Sequence, residues 1–480
     1  MKLSPLAAMI LTAWLSACAV IPPDGAIPSR LDAKGAERMD RMPAGAEEWP
    51  QDQWWHRYRD PQLDGLVTAA LAGSPSMALA AARFKQAEAR LLASEASDKV
   101  NATISGNATR QRYPEHDIYP PPLAGSWKNH GQLQAQAALE IDLWGRNRAA
   151  IASAVGEREA GRADRAEAAR VLVAAVAQGY FAWLADEARW RVSQRQSEVL
   201  TAQTGLAQRR VAAGLDPVSA LDAAREELAV AKAQTEQLDA QRLRDREALR
   251  ALVGGDARHI ESLRVRSLPE PAAGLPATLG LHLLSRRPDL VAAKWRVEAA
   301  VQSVKSDEAA FYPDVNLTGF FGFNSIGLEN LLQASSRGPG MSAAFSLPLF
   351  DSGRLRSRLG VSRAQRDAAI AQYNQTLVNA VQDVADQGLA WRGLSRQKDE
   401  QTRALAAADR QRQAAVRRSA SGLADRQTTL RAELPVLKEH DQLLQVNKAM
   451  LLADVALTKA LGGGYHAVSP SGTTTSGDTQ

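Results

Sequence analysis

The chain has 480 residues, 45% hydrophobic but only 5% aromatic, and a formal net charge of +5 from 58 basic and 53 acidic side chains. Charge mixed this evenly shows no basic patch interleaved with aromatics, so nucleic acid is not an expected partner. A single cysteine, Cys18, excludes a disulfide framework, and abundant Ala, Glu, Arg, Gln and Leu at helical spacing point to long helices with coiled-coil-like packing.

Lys2 is the only charge before Asp24, and Leu6 to Leu15 is an apolar stretch of signal-peptide length, too short to span a bilayer. It ends in Leu15-Ser16-Ala17-Cys18. Small residues suit a signal-peptidase cleft, and the thiol that follows can take a diacylglyceryl group. Residues 1–17 are therefore expected to be a lipoprotein signal and Cys18 the lipid-bearing N-terminus; a plain secretory signal with an incidental cysteine is the alternative. Two or more acyl chains anchor stably where one is marginal. No later apolar run approaches 18 residues, so no transmembrane helix is expected.

Residues 18–53 carry Pro22, Pro23, Pro28, Pro43 and Pro50 and read as an extended tether. Trp54 and Trp55 are expected to pack it onto the body. Asp60-Pro61 and Ser74-Pro75 are helix starts, each a capping side chain followed by proline. The period then changes to two: Val100, Ala102, Ile104, Gly106 and Ala108 alternate with Asn101, Thr103, Ser105, Asn107 and Thr109. From Gln132, Leu133, Ala135, Ala137, Leu139 and Ile141 alternate with polar residues again. Such runs match tilted membrane strands, or a soluble hairpin with one wet face. A polar, proline-rich loop from Tyr113 to His130 separates them.

Gly145 to Ala213 contains no proline. As one helix it is roughly 100 Å long at 1.5 Å per residue. Gly214 suits a left-handed helix end, and Asp216 is expected to cap a returning helix with Pro217 at its first position, running to about Val253. The second half repeats this plan. Arg287-Pro288-Asp289 opens a helix, alternation returns from Asp314, and a loop with Gly338, Pro339 and Gly340 leads to a strand over residues 341–350. A shift of 208 residues places Gly145-Arg146 on Gly353-Arg354, Trp183 on Trp391, Gly214-Leu215 on Gly422-Leu423 and Gly254-Gly255 on Gly462-Gly463. Tandem duplication accounts for that. The expected organisation is signal 1–17, tether 18–53, first repeat 54–255 with a hairpin at about 100–141, linker 256–274, second repeat 275–464 with a hairpin at about 314–349, and a disordered tail 465–480.

Four strands cannot sit alone in a bilayer, because their edge amides go unpaired in hydrocarbon. Two chains give a barrel filled by side chains; three give twelve strands and room for a lumen. The expected fold is mainly α with transmembrane β: a trimeric 12-stranded outer-membrane barrel, four strands per chain, continued by a long periplasmic helical tunnel.

The lipobox at Leu15–Cys18, the Trp54-Trp55…Asp60-Pro61-Gln62-Leu63-Asp64 run, Arg287-Pro288-Asp289-Leu290, Ala310-Phe311-Tyr312-Pro313-Asp314, residues 347–354 (LPLFDSGR) and Leu461-Gly462-Gly463-Gly464 follow one another in this order. Together with the repeat, they make the chain resemble the TolC-like outer-membrane factor family, in its lipoprotein (NodT-type) drug-efflux branch. The resemblance spans about residues 50–465. It implies a homotrimer set in outer-membrane lipids, extending into the periplasm and joined by a periplasmic membrane-fusion adaptor to an inner-membrane efflux pump. It implies no enzymatic activity and no cofactor.

The family docks its adaptor at the hairpin tips, matched here by Gly214, Leu215, Asp216, Val218 and Ser219 and by Gly422 and Leu423. It often closes the tunnel near the second tip with carboxylates. Where relatives often carry Asp this chain has Arg431, while Asp222 is kept in the first repeat. The resemblance therefore implies a more basic gate, Arg417, Arg418, Arg426 and Arg431 against Asp222, Asp425 and Glu433; the alternative is that these arginines pair with neighbouring helices or the adaptor. The seven histidines show no ligand spacing, so no metal site is expected. Two other builds remain compatible with the sequence: an exit duct for protein secretion, and a non-porous lipid-anchored periplasmic scaffold.

Overall fold

A computed structural model describes residues 21–31, 49–255, 257–271, 286–348, 350–351 and 353–466. The signal segment with Cys18, residues 32–48 of the tether and the tail from residue 467 lie outside the described residues. By contacts the chain divides into two units: one from residues 1–30, 83–161 and 293–373, the other from residues 31–82, 162–292 and 374–480.

The first unit holds four antiparallel strands: β1 (Asn101–Arg112), β2 (Trp127–Ile141), β3 (Asp314–Ile326) and β4 (Arg337–Ser346), paired in that order. The register runs Ile104–Ala135–Phe321–Pro339 across one row and Thr103–Gln136–Phe320–Gly340 across the next. Partners in a row share a face. One face therefore carries Ala102, Ile104, Leu133, Leu317, Phe321 and Phe345. The other carries Asn101, Thr103, Ser105, Gln134, Gln136, Thr318 and Ser342, with Phe320 among them. Ile104, Met341 and Phe345 are 78%, 79% and 67% exposed in the single chain, so among the described residues these positions of the apolar face are left largely uncovered.

Two expected boundaries are corrected. β2 begins at Trp127, ahead of the alternation that starts at Gln132. β4 begins at Arg337 and takes in Gly338, Pro339 and Gly340, which the sequence suggests as loop, while Leu347 and Pro348 lie beyond it. The ladder of β3 decides this, pairing Gly322 with Gly338 and Phe321 with Pro339. Proline is tolerated because β4 is at the sheet edge.

The helices, in chain order, are α1 (Pro61–Gly73), α2 (Pro75–Ser97), α3 (Arg146–Ala212), α4 (Val218–Leu252), α5 (Ala257–Glu261), α6 (Pro288–Ala309), α7 (Arg354–Ala420) and α8 (Arg426–Ala460). α3 and α7 have 67 residues each, α4 and α8 have 35 each, and both pairs are related by the 208-residue shift. α8 runs through Pro435 as one helix.

The second unit is built on aromatic packing. Trp54 and Tyr58 enter a core with Leu63, Leu66, Val176, Tyr180, Phe181, Leu184, Leu249 and Val455. Tyr58 meets Phe181 edge-on at 4.7 Å, and its hydroxyl donates to Asp454 at 2.7 Å. Asp60 caps α1 through Gln62 N and accepts from the Tyr180 hydroxyl. One 18-residue window of α3 is apolar enough by composition to cross a bilayer, but 61% of it is buried, because its side chains supply this core. Gly254 and Gly462 occupy equivalent places at φ +81° and +102°. A Cβ there meets the carbonyl oxygen of Gly73 or Arg286 at 2.2 or 2.1 Å, so only glycine lets the backbones meet.

In the first unit, Trp144 stacks on Tyr312 at 4.8 Å and donates to the Pro313 carbonyl. Arg146 pairs with Asp314 at 3.2 Å. The start of α3 is thereby fastened to the start of β3. Residues 21–31, expected as bare tether, are held too: Ile21 packs on Val304, Phe311, Leu355 and Leu359, and Asp24 receives Arg366 at 2.5 Å.

Candidate functional site: the helical hairpin tips

Each long helix ends in the same turn. Gly214 N donates to Val211 O and Leu215 N to Arg210 O; Gly422 N donates to Ser419 O and Leu423 N to Arg418 O. This closes the orphan carbonyls with a left-handed glycine, φ +67° and +70°. An added Cβ on either glycine meets nothing within 4 Å. Leu215, Val218 and Leu423 are 66%, 62% and 72% exposed, and Ser219 is exposed beside them. Apolar side chains presented on bare turns suit capture by another protein.

The two tips differ in electrostatics. Asp216 does not cap α4: the N-cap position is Pro217, and no side chain caps there. Its carboxylate instead accepts from Arg210 at 2.7 and 3.0 Å. A guanidinium six residues back offers two charged donors, which outcompete one backbone amide. This bond, and then the charges of Arg210 and Arg431, hold Asp216 below the usual carboxylate range. At the second tip the equivalent position is Ala424, and Asp425 takes the capping role, accepting from Thr428 N at 2.8 Å and Thr428 Oγ1 at 2.6 Å. Those bonds and the nearby Arg210 lower its pKa.

Across the two tips, Arg210 therefore acts on Asp425 and Arg431 on Asp216. The other expected gate residues are not gathered. Asp222 pairs along its own helix with Arg225 at 3.4 Å, and Glu433 reaches Arg195 on α3 at 2.8 Å. Arg417, Arg418, Arg426 and Arg431 are exposed. Sequence reading missed Arg210 and Thr428; a charge six residues before the Asp, and a threonine three after it, were the available signals. Cys18 lies outside the described residues, and no group among them could hold a metal ion.

A family model described as outer membrane efflux protein matches residues 66–255 and 281–463. The multidrug resistance outer membrane protein MdtP of Escherichia coli (strain K12) is 33% identical over 464 residues, 95% of each chain. Among solved structures, the outer membrane protein VceC of Vibrio cholerae shares 30% identity at a TM-score of 0.77, covering 87% of this chain and 100% of its own. The CmeC outer membrane channel of Campylobacter jejuni superposes at 0.81 over 94% of this chain and 95% of its own; at 21% identity that is a likeness of fold.

Proposed function

The chain belongs to the outer membrane efflux protein family, and from that premise we propose that it is the passive exit duct of a tripartite efflux system for drugs and other small toxic compounds. The observation that carries this is the sheet: four strands, one face apolar, one face polar, with β1 and β4 each leaving an edge unpaired in the single chain. Three copies joined edge to edge give a 12-stranded barrel with the Asn, Thr, Ser and Gln face, Phe320 included, turned to water and Ile104, Leu133, Leu317, Phe321 and Phe345 turned to lipid. The long helices of two structural repeats then wall a periplasmic tunnel. Nothing in this task calls for catalysis; energy comes from an inner-membrane pump reached through an adaptor.

The tips at Gly214–Ser219 and Gly422–Leu423 are the adaptor's docking points, supported by their exposure and by backbone left open to a partner. Arg418, Arg426 and Arg431 make the tunnel mouth basic. Cys18 carries the lipid, three residues before Ile21, whose side chain is already packed on the first unit. The relationship to MdtP favours small molecules over secreted proteins as cargo.

Detergent-extracted protein should have three times the chain mass and conduct ions in planar bilayers. A deletion strain should accumulate drugs while its secreted proteins stay normal. A monomeric, non-conducting particle rules the duct out, and lost protein secretion with unchanged drug accumulation moves the cargo to proteins.

A further inference from the structure

α7 carries Arg396, Arg403, Arg410 and Arg417, four arginines spaced seven residues apart and all exposed. A seven-residue repeat keeps them on one stripe of a coiled-coil-like helix. Arg403 makes only a surface pair with Glu400, the two side chains being 73% and 71% exposed. Among the described residues the other three side chains have no ion pair or hydrogen bond.

α4 carries the opposite charge. Asp222, Glu226, Ala229, Ala233 and Glu236 follow one another at three- and four-residue steps and are all exposed. Asp222 has the loose Arg225 pair; Glu226 and Glu236 have no ion pair among the described residues. The two stripes do not serve each other within one chain. Side-chain bonds link α4 to α3 (Ser193–Thr235, Arg242–Glu187). Others link α3 to α8 (Arg189–Asp441, Lys448–Asp186) and α8 to α7 (Gln401–Glu439). Among the described residues no hydrogen bond or ion pair joins α4 to α7. They are the outer helices of the row α4–α3–α8–α7.

The levels match. Counted from the tips at 1.5 Å per residue, Arg417 and Asp222 lie about 5 Å in, Arg410 and Glu226 about 12–15 Å, and Arg403 and Glu236 about 25–27 Å. The small Ala406 and Ala414 on one stripe, and Ala229 and Ala233 on the other, allow close approach.

We propose that these stripes are the two halves of a seam between copies of this chain, the arginine stripe of α7 lying against the acidic stripe of α4 in the next copy. The inference rests on the reading of the chain as one subunit of a ring. It places Arg417 and Asp222 between copies rather than at a gate. A head-to-tail contact of unlike surfaces is the type that closes a ring. Exposed pairs are individually weak, so the ladder chooses partner and register more than it supplies strength.

The test uses the full-length protein in detergent, carrying Arg410→Cys together with Glu226→Cys. Cys18 is the only native cysteine. After oxidation the double variant should run as a covalent trimer on a denaturing, non-reducing gel, while each single variant runs as monomer. A double variant that is trimeric by light scattering yet yields no covalent ladder overturns the seam and leaves the duct standing. A monomeric wild-type chain overturns both. Independently, Arg403→Glu, Arg410→Glu and Arg417→Glu combined should lower the trimer's melting temperature at low salt, and adding Asp222→Arg, Glu226→Arg and Glu236→Arg should restore it. A triple variant as stable as wild type, or no recovery in the full swap, counts against the seam.

Discussion

Asp245 lies near enough to Asp186 to feel its charge, and a hydrogen bond between the two carboxyls requires that one of them hold a proton. Asp186 is fully buried and receives Lys448 at 2.7 Å; Arg189 lies at 3.5 Å from it. Asp245 Oδ2 is buried without an N–H donor. Burial, then the bond and charge of Asp186, push Asp245 up to about 6, against the opposing pull of Gln241 and Lys448. The folded state thus holds this proton more tightly than the unfolded chain, whose Asp titrates near ~3.9. Its stabilisation is full below about pH 4 and is lost as pH rises through about 6. Asp245→Asn, which keeps a donor and removes the charge, should raise the melting temperature at pH 7.5 and flatten its fall between pH 4 and 7. An unchanged melting profile counts against the shared proton. Arg287 is 3% exposed and holds Asp289 at 2.6 Å, Asp383 at 3.3 Å and the Ala460 carbonyl at 3.3 Å. Burial alone raises Asp289, but the Arg287 bond and charge outweigh it and keep its carboxyl below the usual range. Arg287→Ala removes the nearest charge partner of that carboxylate, leaving Arg170 at 3.9 Å, and should cost about 3 kcal/mol in denaturant unfolding.

At the scale of elements, close packing of backbones explains the alanine and glycine content. A Cβ on Gly156 of α3 meets the Ala299 Cβ of α6 at 2.9 Å and its backbone at 3.1 Å. Gly156→Leu therefore has to push the helices apart and should destabilise the first unit by about 1–3 kcal/mol, seen as faster amide exchange in α6 with little change in α8. Proline-free runs bounded by glycine made α3 and α7 legible as single helices, because nothing inside them interrupts the hydrogen-bond ladder. Period two made the interiors of β1, β2 and β3 legible. The boundaries were not: β4 starts in a Gly-Pro-Gly stretch because a neighbouring strand holds it there. Asp216 has the local signature of a cap and yields to Arg210, since a cap is a competition among all nearby donors.

For the whole molecule, the tips carry the connection to the rest of the export machinery. Gly422 has φ +70° and empty space around a built Cβ. Gly422→Trp should strain the turn by only about 1–2 kcal/mol and leave mass, membrane insertion and conductance intact. Drug resistance should nonetheless be lost, because the bulky side chain blocks the approach of an adaptor. Full resistance in this variant removes the docking role from this tip.

The sequence by itself determined the long helices, the alternating strands, the 208-residue duplication and the family. These follow from local patterns: periodicity, proline and glycine punctuation, and motifs in fixed order. Only the tertiary structure decided that Trp144 and Arg146 fasten to Tyr312 and Asp314, and that Asp24 anchors on Arg366. It alone decided that Asp245 lies beside the buried Asp186, and that the charged stripes of α4 and α7 face away from their own chain. Those are pairings between residues about 60 to 340 positions apart. Their energies depend on distance and burial, which no local pattern encodes.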